Sequence, residues 1–137
     1  MRLENPLKTY DNVENRVFSC QFHAVFCPKY RRKLLTPPIA ECLTNFILKK
    51  QKAINYKVLE INVLVDHVHL VLSIDPSHSM QSIIAEIKYQ SSPMLRKEFP
   101  ELKTKLSTVW NRAYFISTVG NLDSMDIPKW LQNQKNI

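Results

Sequence analysis

Two runs of alternating apolar and polar residues, set back to back on either side of Asp66, constrain this chain more than any other feature. From Tyr56 onward Leu59, Ile61, Val63 and Val65 recur with period two, with Glu60 and Asn62 between them. Beyond Asp66, Val68, Leu70, Leu72 and Ile74 do the same. Side chains two apart on a strand share a face. The pattern therefore predicts a tight antiparallel pair with one face in a core, and it puts His67, His69, Val71 and Ser73 together on the other face.

The flanking segments supply the rest of a small sandwich. Residues 16–27 are rich in β-branched and aromatic types and end at Pro28, which predicts a strand running into a basic loop. Thr36 is placed to cap a helix that carries Pro37 and Pro38 in its first turn and Ile39, Leu43, Phe46, Ile47, Lys50 and Ile54 at helical spacing, stopping near Asn55. Ser79 opens a second helix with Met80, Ile83, Ile84 and Ile87 inward. Ser92-Pro93 either kinks it or caps a continuation through Leu95, and Phe99-Pro100 ends it. Residues 109–119 read as a further strand closed at Gly120-Asn121, and Asp123 or Asp126 begins a last helix to about Asn133. The order β-α-β-β-α-β-α predicts an α+β fold: a ferredoxin-like antiparallel sheet with helices packed mainly on one face.

A chain of 137 residues is expected to form one domain, residues 1–137. The longest apolar stretch, 61–74, is interrupted by Asn62, Asp66, His67 and His69, so neither membrane insertion nor secretion is expected. Cys20, Cys27 and Cys42 are odd in number and form no Cys-x-x-Cys pair, which argues for a reducing cytoplasm and against a disulfide framework or zinc ribbon. The formal net charge of +7 favours polyanionic partners through counterion release.

Three features carry candidate chemistry. His67 and His69, two apart on a strand, can present two imidazoles to one metal ion; two hydrogen-bonded histidines on the open face of a sheet account for the spacing equally well. Lys29, Tyr30, Arg31, Arg32 and Lys33 set four cations around one aromatic, which suits phosphates plus a stacked base, although charge runs also form plain solvated surface. Lys88 and Arg112 add positive charge at positions the sequence cannot bring together. On the last helix Trp130 and Gln134 lie four apart and share a face. Taken singly, they read as core packing and as a surface glutamine.

Taken together, the segments FHAVFCPKYRRKLL, DHVHLVLSI, WNRAYFISTVGN and IPKWLQNQ closely resemble, in order, those of the single-tyrosine HUH transposases, the TnpA type that moves IS200-like insertion sequences as single strands. The resemblance covers nearly the whole chain. It implies that His67, His69 and Gln134 ligate a divalent metal, magnesium or manganese, with zinc also compatible. It implies hairpin ends of single-stranded DNA as the ligand; the basic loop, Lys88 and Arg112 are expected on that DNA from their charge. It implies a homodimer in which the final helix can complete the partner subunit's site, with Gly120 as a hinge or simply a turn.

In such proteins a helix tyrosine attacks the scissile phosphodiester and becomes joined to the 5′ phosphate, and here that position holds Trp130. An indole has no ionisable hydroxyl. Tyr89 likewise stands where the family commonly has glycine after a lysine, and Val65 where a proline often precedes the Asp-His pair. The leading expectation is a single-stranded DNA transposase with impaired cleavage. The rivals are a repurposed, non-cleaving module that binds single-stranded DNA or RNA, and a zinc-dependent hydrolase using the same histidines with Asp66.

Overall fold

The computed structural model describes residues 11–13, 16–18, 20–105, 108–119 and 126–134. Its centre is a four-stranded antiparallel sheet of β3 (Gln21–Phe26), β4 (Lys57–Leu64), β5 (His67–Ser73) and β6 (Phe115–Thr118), in the order β4-β5-β3-β6. A separate two-stranded sheet pairs β1 (Asp11–Val13) with β2 (Arg16–Phe18). The single strand expected over 16–27 is thus two strands in two sheets.

The predicted hairpin forms, with a tighter turn than expected. Leu64 pairs with His67, so Val65 and Asp66 are the two turn residues, and Val65 is exposed rather than in the apolar face. Leu59 leaves that face too. The register steps from Val58 opposite Leu72 to Glu60 opposite Val71, which makes Leu59 the extra residue of a bulge. Val58, Ile61 and Val63 then stand opposite Leu72, Leu70 and Val68.

That face packs on α1 (Pro37–Lys49) and α3 (Met80–Glu98). Ile39, Leu43 and Ile47 of α1 and Ile83, Ile84, Ile87 and Leu95 of α3 are buried against Ala24, Phe26, Leu70 and Leu72. Burying each such side chain contributes about 1.5–3 kcal/mol, which is why the helical and strand periods converge on one core. Thr36 sits at the N-cap of α1 without a side-chain hydrogen bond. A non-helical Lys50 separates α1 from α2 (Gln51–Ile54), and Asn55, at φ 73°, ends it in the left-handed conformation that asparagine tolerates. The Ser79 hydroxyl accepts from the Ser82 amide to open α3, which runs unbroken through Pro93 to a C-cap at Phe99. The short α4 (Glu101–Lys105) was not expected.

The strand expected over 109–119 is interrupted. Trp110 bridges Pro28 and Phe115 pairs with Val25, so five steps along one strand span three along the other. The surplus residues bow out over Lys88, whose ammonium donates to the carbonyls of Asn111 (2.8 Å) and Ala113 (2.9 Å) in place of a ladder partner. Lys88→Met is expected to leave those carbonyls unpaired and to lower stability by about 1–3 kcal/mol. An unchanged denaturation midpoint would contradict this role.

The final helix, α5 (Asp126–Asn133), lies on the opposite face of the sheet, where Leu131 and Trp130 pack on Val25, Cys27 and Phe115. Gly120, the proposed hinge, and Asp123 lie outside the described residues. Among the described residues no helix is long and apolar enough to cross a membrane, and all three cysteines are free thiols.

Candidate metal and DNA site

β5 delivers His67 and His69 to the sheet face that carries α5, as their spacing requires. The register adds a third imidazole. Val25 stands opposite His69 and His23 opposite Val71, so His23 lies diagonally across from His69 on the same face. Its Nδ1 is 3.1 Å from His69 Nε2, and the rings stack at 5.4 Å between centroids. Burial, together with neighbouring His23, holds His69 below the usual imidazole value. Sequence reasoning missed His23. The signal was its place two residues before Val25 in the same strand, but only the cross-strand register brings it to His69.

His67 Nδ1 donates to Asp66 Oδ1 at 2.8 Å, which in the neutral ring puts the lone pair on Nε2. Burial alone would raise the Asp66 carboxyl. The hydrogen bond from His67 and the charge of Arg31 override it and hold the group below the usual carboxylate range. The second carboxylate oxygen is 3.0 Å from Arg31 Nε. With both oxygens engaged, Asp66 orients His67, an arrangement that fixes the tautomer of metal-binding histidines, and is poorly placed to serve as the base of a hydrolase.

The basic loop is a single 3₁₀ turn, Lys29–Arg31, in which Tyr30 (φ 61°) and Arg31 (φ 51°) are both left-handed. Consecutive non-glycine residues in that region are strained, and such strain clusters at ligand clamps. Here it splits the five predicted DNA residues into two groups. Arg31 turns inward, joining Asp66 to the Leu131 carbonyl of α5 through Nη1 at 2.9 Å, so its guanidinium is committed within the protein. Tyr30 turns outward, half exposed, with Lys29 Nζ 5.8 Å and the Arg32 guanidinium 5.9 Å from its ring centroid. Arg32 and Lys33 are exposed.

Lys88, also predicted to meet DNA, is occupied with the 111–113 carbonyls and stacked over the Phe26 and Tyr114 rings, and burial pulls its ammonium down to about 8. Arg112 is exposed.

Gln134 is buried rather than on the surface. Its Oε1 accepts from Asn111 Nδ2 at 3.0 Å, and Nε2 donates to the Trp130 carbonyl. Trp130 is part-buried, its ring 6.2 Å from Phe115. Among the described residues no three His, Cys, Asp or Glu side chains form a group that could hold a metal ion. Two imidazoles and an amide oxygen are donor types that a borderline-hard divalent ion accepts.

Residues 16–134 match the family model described as "Transposase IS200 like". The transposase for insertion sequence element IS200 of Salmonella typhimurium is 32% identical over 119 residues, covering 85% of this chain and 78% of the relative. The ISDra2 transposase TnpA of Deinococcus radiodurans is 29% identical over 120 residues, covering 86% of each. A crystal structure of a transposase-like protein from the same species superposes with a TM-score of 0.83 at 24% identity, covering 90% of this chain and 97% of that one. A REP-associated tyrosine transposase bound to a REP hairpin gives 0.55 at 15%, covering 88% and 67%. At those last two identities the likeness is one of fold.

Proposed function

Since the chain belongs to the family of IS200-like transposases, we propose that it grips the hairpin ends of an insertion sequence as single-stranded DNA, at a divalent ion held by His67, His69 and Gln134, with strand cleavage impaired by Trp130. The observation that carries this reading is the Asp66–His67 pair beside His69 on one sheet face, covered by the helix that Gln134 directly follows.

When bound, a magnesium or manganese ion supplies Lewis acidity at the scissile phosphate. The chain does the rest. Asp66 fixes the His67 ring, and Arg31 ties that carboxylate to α5, so turn, strand and helix hold a common geometry. Gln134 would contribute its amide oxygen by exchanging the hydrogen bond it now accepts from Asn111. Trp130 stands where the family's tyrosine would attack, and it offers no hydroxyl to do so. The REP-associated transposase holds a REP hairpin; carried over to this chain, a hairpin is the proposed DNA form. A homodimer belongs to the same reading, on the strength of the family alone, and sedimentation would measure it.

Outside the metal site, Tyr30 with its flanking Lys29, Arg32 and Lys33 suits a strand whose bases are free to stack. Binding to single-stranded DNA is expected to fall steeply with salt. Arg32→Gln and Lys33→Gln should each flatten the slope of log K against log salt by about 0.7. Fluorescence anisotropy across a salt series measures this, and an affinity indifferent to ionic strength would remove the basic turn from the interface.

The absence of a hydroxyl at position 130 also favours a second reading, a repurposed module that binds single strands without cutting. It predicts that affinity for DNA survives loss of both His67 and His69.

A further inference from the structure

A groove of about 580 Å³ runs between α3 and the bowed segment after Thr108. Its volume falls within the roughly 300–1,000 Å³ typical of ligand sites. Trp110 is 4% exposed and fixed by its Nε1 donating to Ser91 Oγ at 2.9 Å, so one wall is a rigid indole. Pro93 adds apolar surface, and Tyr89 on α3 stands 77% exposed at the rim. Exposing so large a ring in mid-helix forgoes apolar burial, and at the mouth of a groove it offers a flat face to a planar ligand. Across from it is the exposed Arg112, and no carboxylate lines the groove. A planar apolar group joined to an anion is the chemistry of an unpaired nucleotide.

The position is as informative as the composition. Asn111 lines this groove and donates to Gln134, the residue that follows α5, so one hydrogen bond links the groove to a proposed metal ligand. A second groove among the described residues, beside Asn55 and His78, is polar and includes Glu86, a poor match for a nucleic-acid strand.

We infer that the α3 groove is a subsite for one unpaired base of the DNA strand, stacked on Tyr89 with its phosphate on Arg112. This rests on the reading of the protein as a single-strand DNA binder. It specifies a position on that strand which a base-paired duplex cannot supply, because only an unpaired base frees both ring faces.

The test pairs affinity with mapping on the full chain. Tyr89→Ala, a substitution at an exposed helix position that favours helix, is expected to weaken binding of single-stranded DNA about tenfold while leaving binding of the matching duplex unchanged. Tyr89→Trp should retain the affinity of the unaltered protein. Arg112→Gln should reduce the salt slope by about 0.7, which Tyr89→Ala should not. Photocrosslinking to a single strand carrying 5-iodouracil, followed by peptide mass spectrometry, should place the adduct on Tyr89. If Tyr89→Ala binds the single strand as tightly as the unaltered protein and the crosslink maps elsewhere, the subsite is wrong while the broader reading stands. If the unaltered protein binds no single-stranded DNA, the broader reading falls first and takes the subsite with it.

Discussion

His67→Ala is expected to weaken manganese binding by about 100-fold or more, measured by isothermal titration, with the fold intact by circular dichroism. Loss of an outer partner of a metal-binding histidine already costs about 10- to 100-fold, and this substitution removes the imidazole itself. His67 is the cleaner choice of the two histidines: it projects from the first residue of β5 beside the turn, whereas His69 is held against His23 and its removal would disturb that pair. If His67→Ala binds manganese like the unaltered protein, the imidazoles are ordinary hydrogen-bonded residues of an open sheet face.

Most of the scaffold was legible because it follows from local periods. The alternation around Asp66 gave the hairpin, the Ile39 and Ile83 series gave the two core helices, and their order gave the antiparallel sheet. What failed to show depends on register. The bulge at Leu59 keeps an apolar residue in an apolar run, so nothing in the composition marks it. The break between Trp110 and Phe115 is set by a lysine 22 positions before Trp110 that supplies the missing donors, a tertiary cause that no strand propensity records.

The site divided in the same way. Two histidines on one face were visible from spacing, while the roles proposed for Gln134 and position 130 come from the resemblance alone. Hidden were His23, which needs the β3–β5 register, and the opposite fates of neighbouring cations. Arg31 and Lys88 look like surface charges in the sequence, yet one braces Asp66 to α5 and the other fills the space beneath a bowed strand. Charge counting finds cations; the turn geometry at Tyr30 and Arg31, with no glycine to announce it, decides which of them meet solvent.

Trp130→Tyr is expected to produce the largest change of all. Loss of a covalent nucleophile from a cooperating site costs on the order of 10⁶ in turnover, so returning a phenol there should take adduct formation from undetectable to readily seen. Trp130 is only part-buried, against Phe115 and Leu131, and a tyrosine ring of smaller size keeps those contacts at a cost of about 1 kcal/mol. Tyr30, Tyr89 and Tyr114 do not stand on α5 beside Gln134, so none is expected to replace it. The deciding measurement is incubation of the unaltered protein and Trp130→Tyr with labelled single-stranded hairpin ends and manganese, resolved on a denaturing gel. A covalent protein–DNA band in the variant alone is the predicted result. Variant protein that binds both strand and metal yet forms no band would contradict the account.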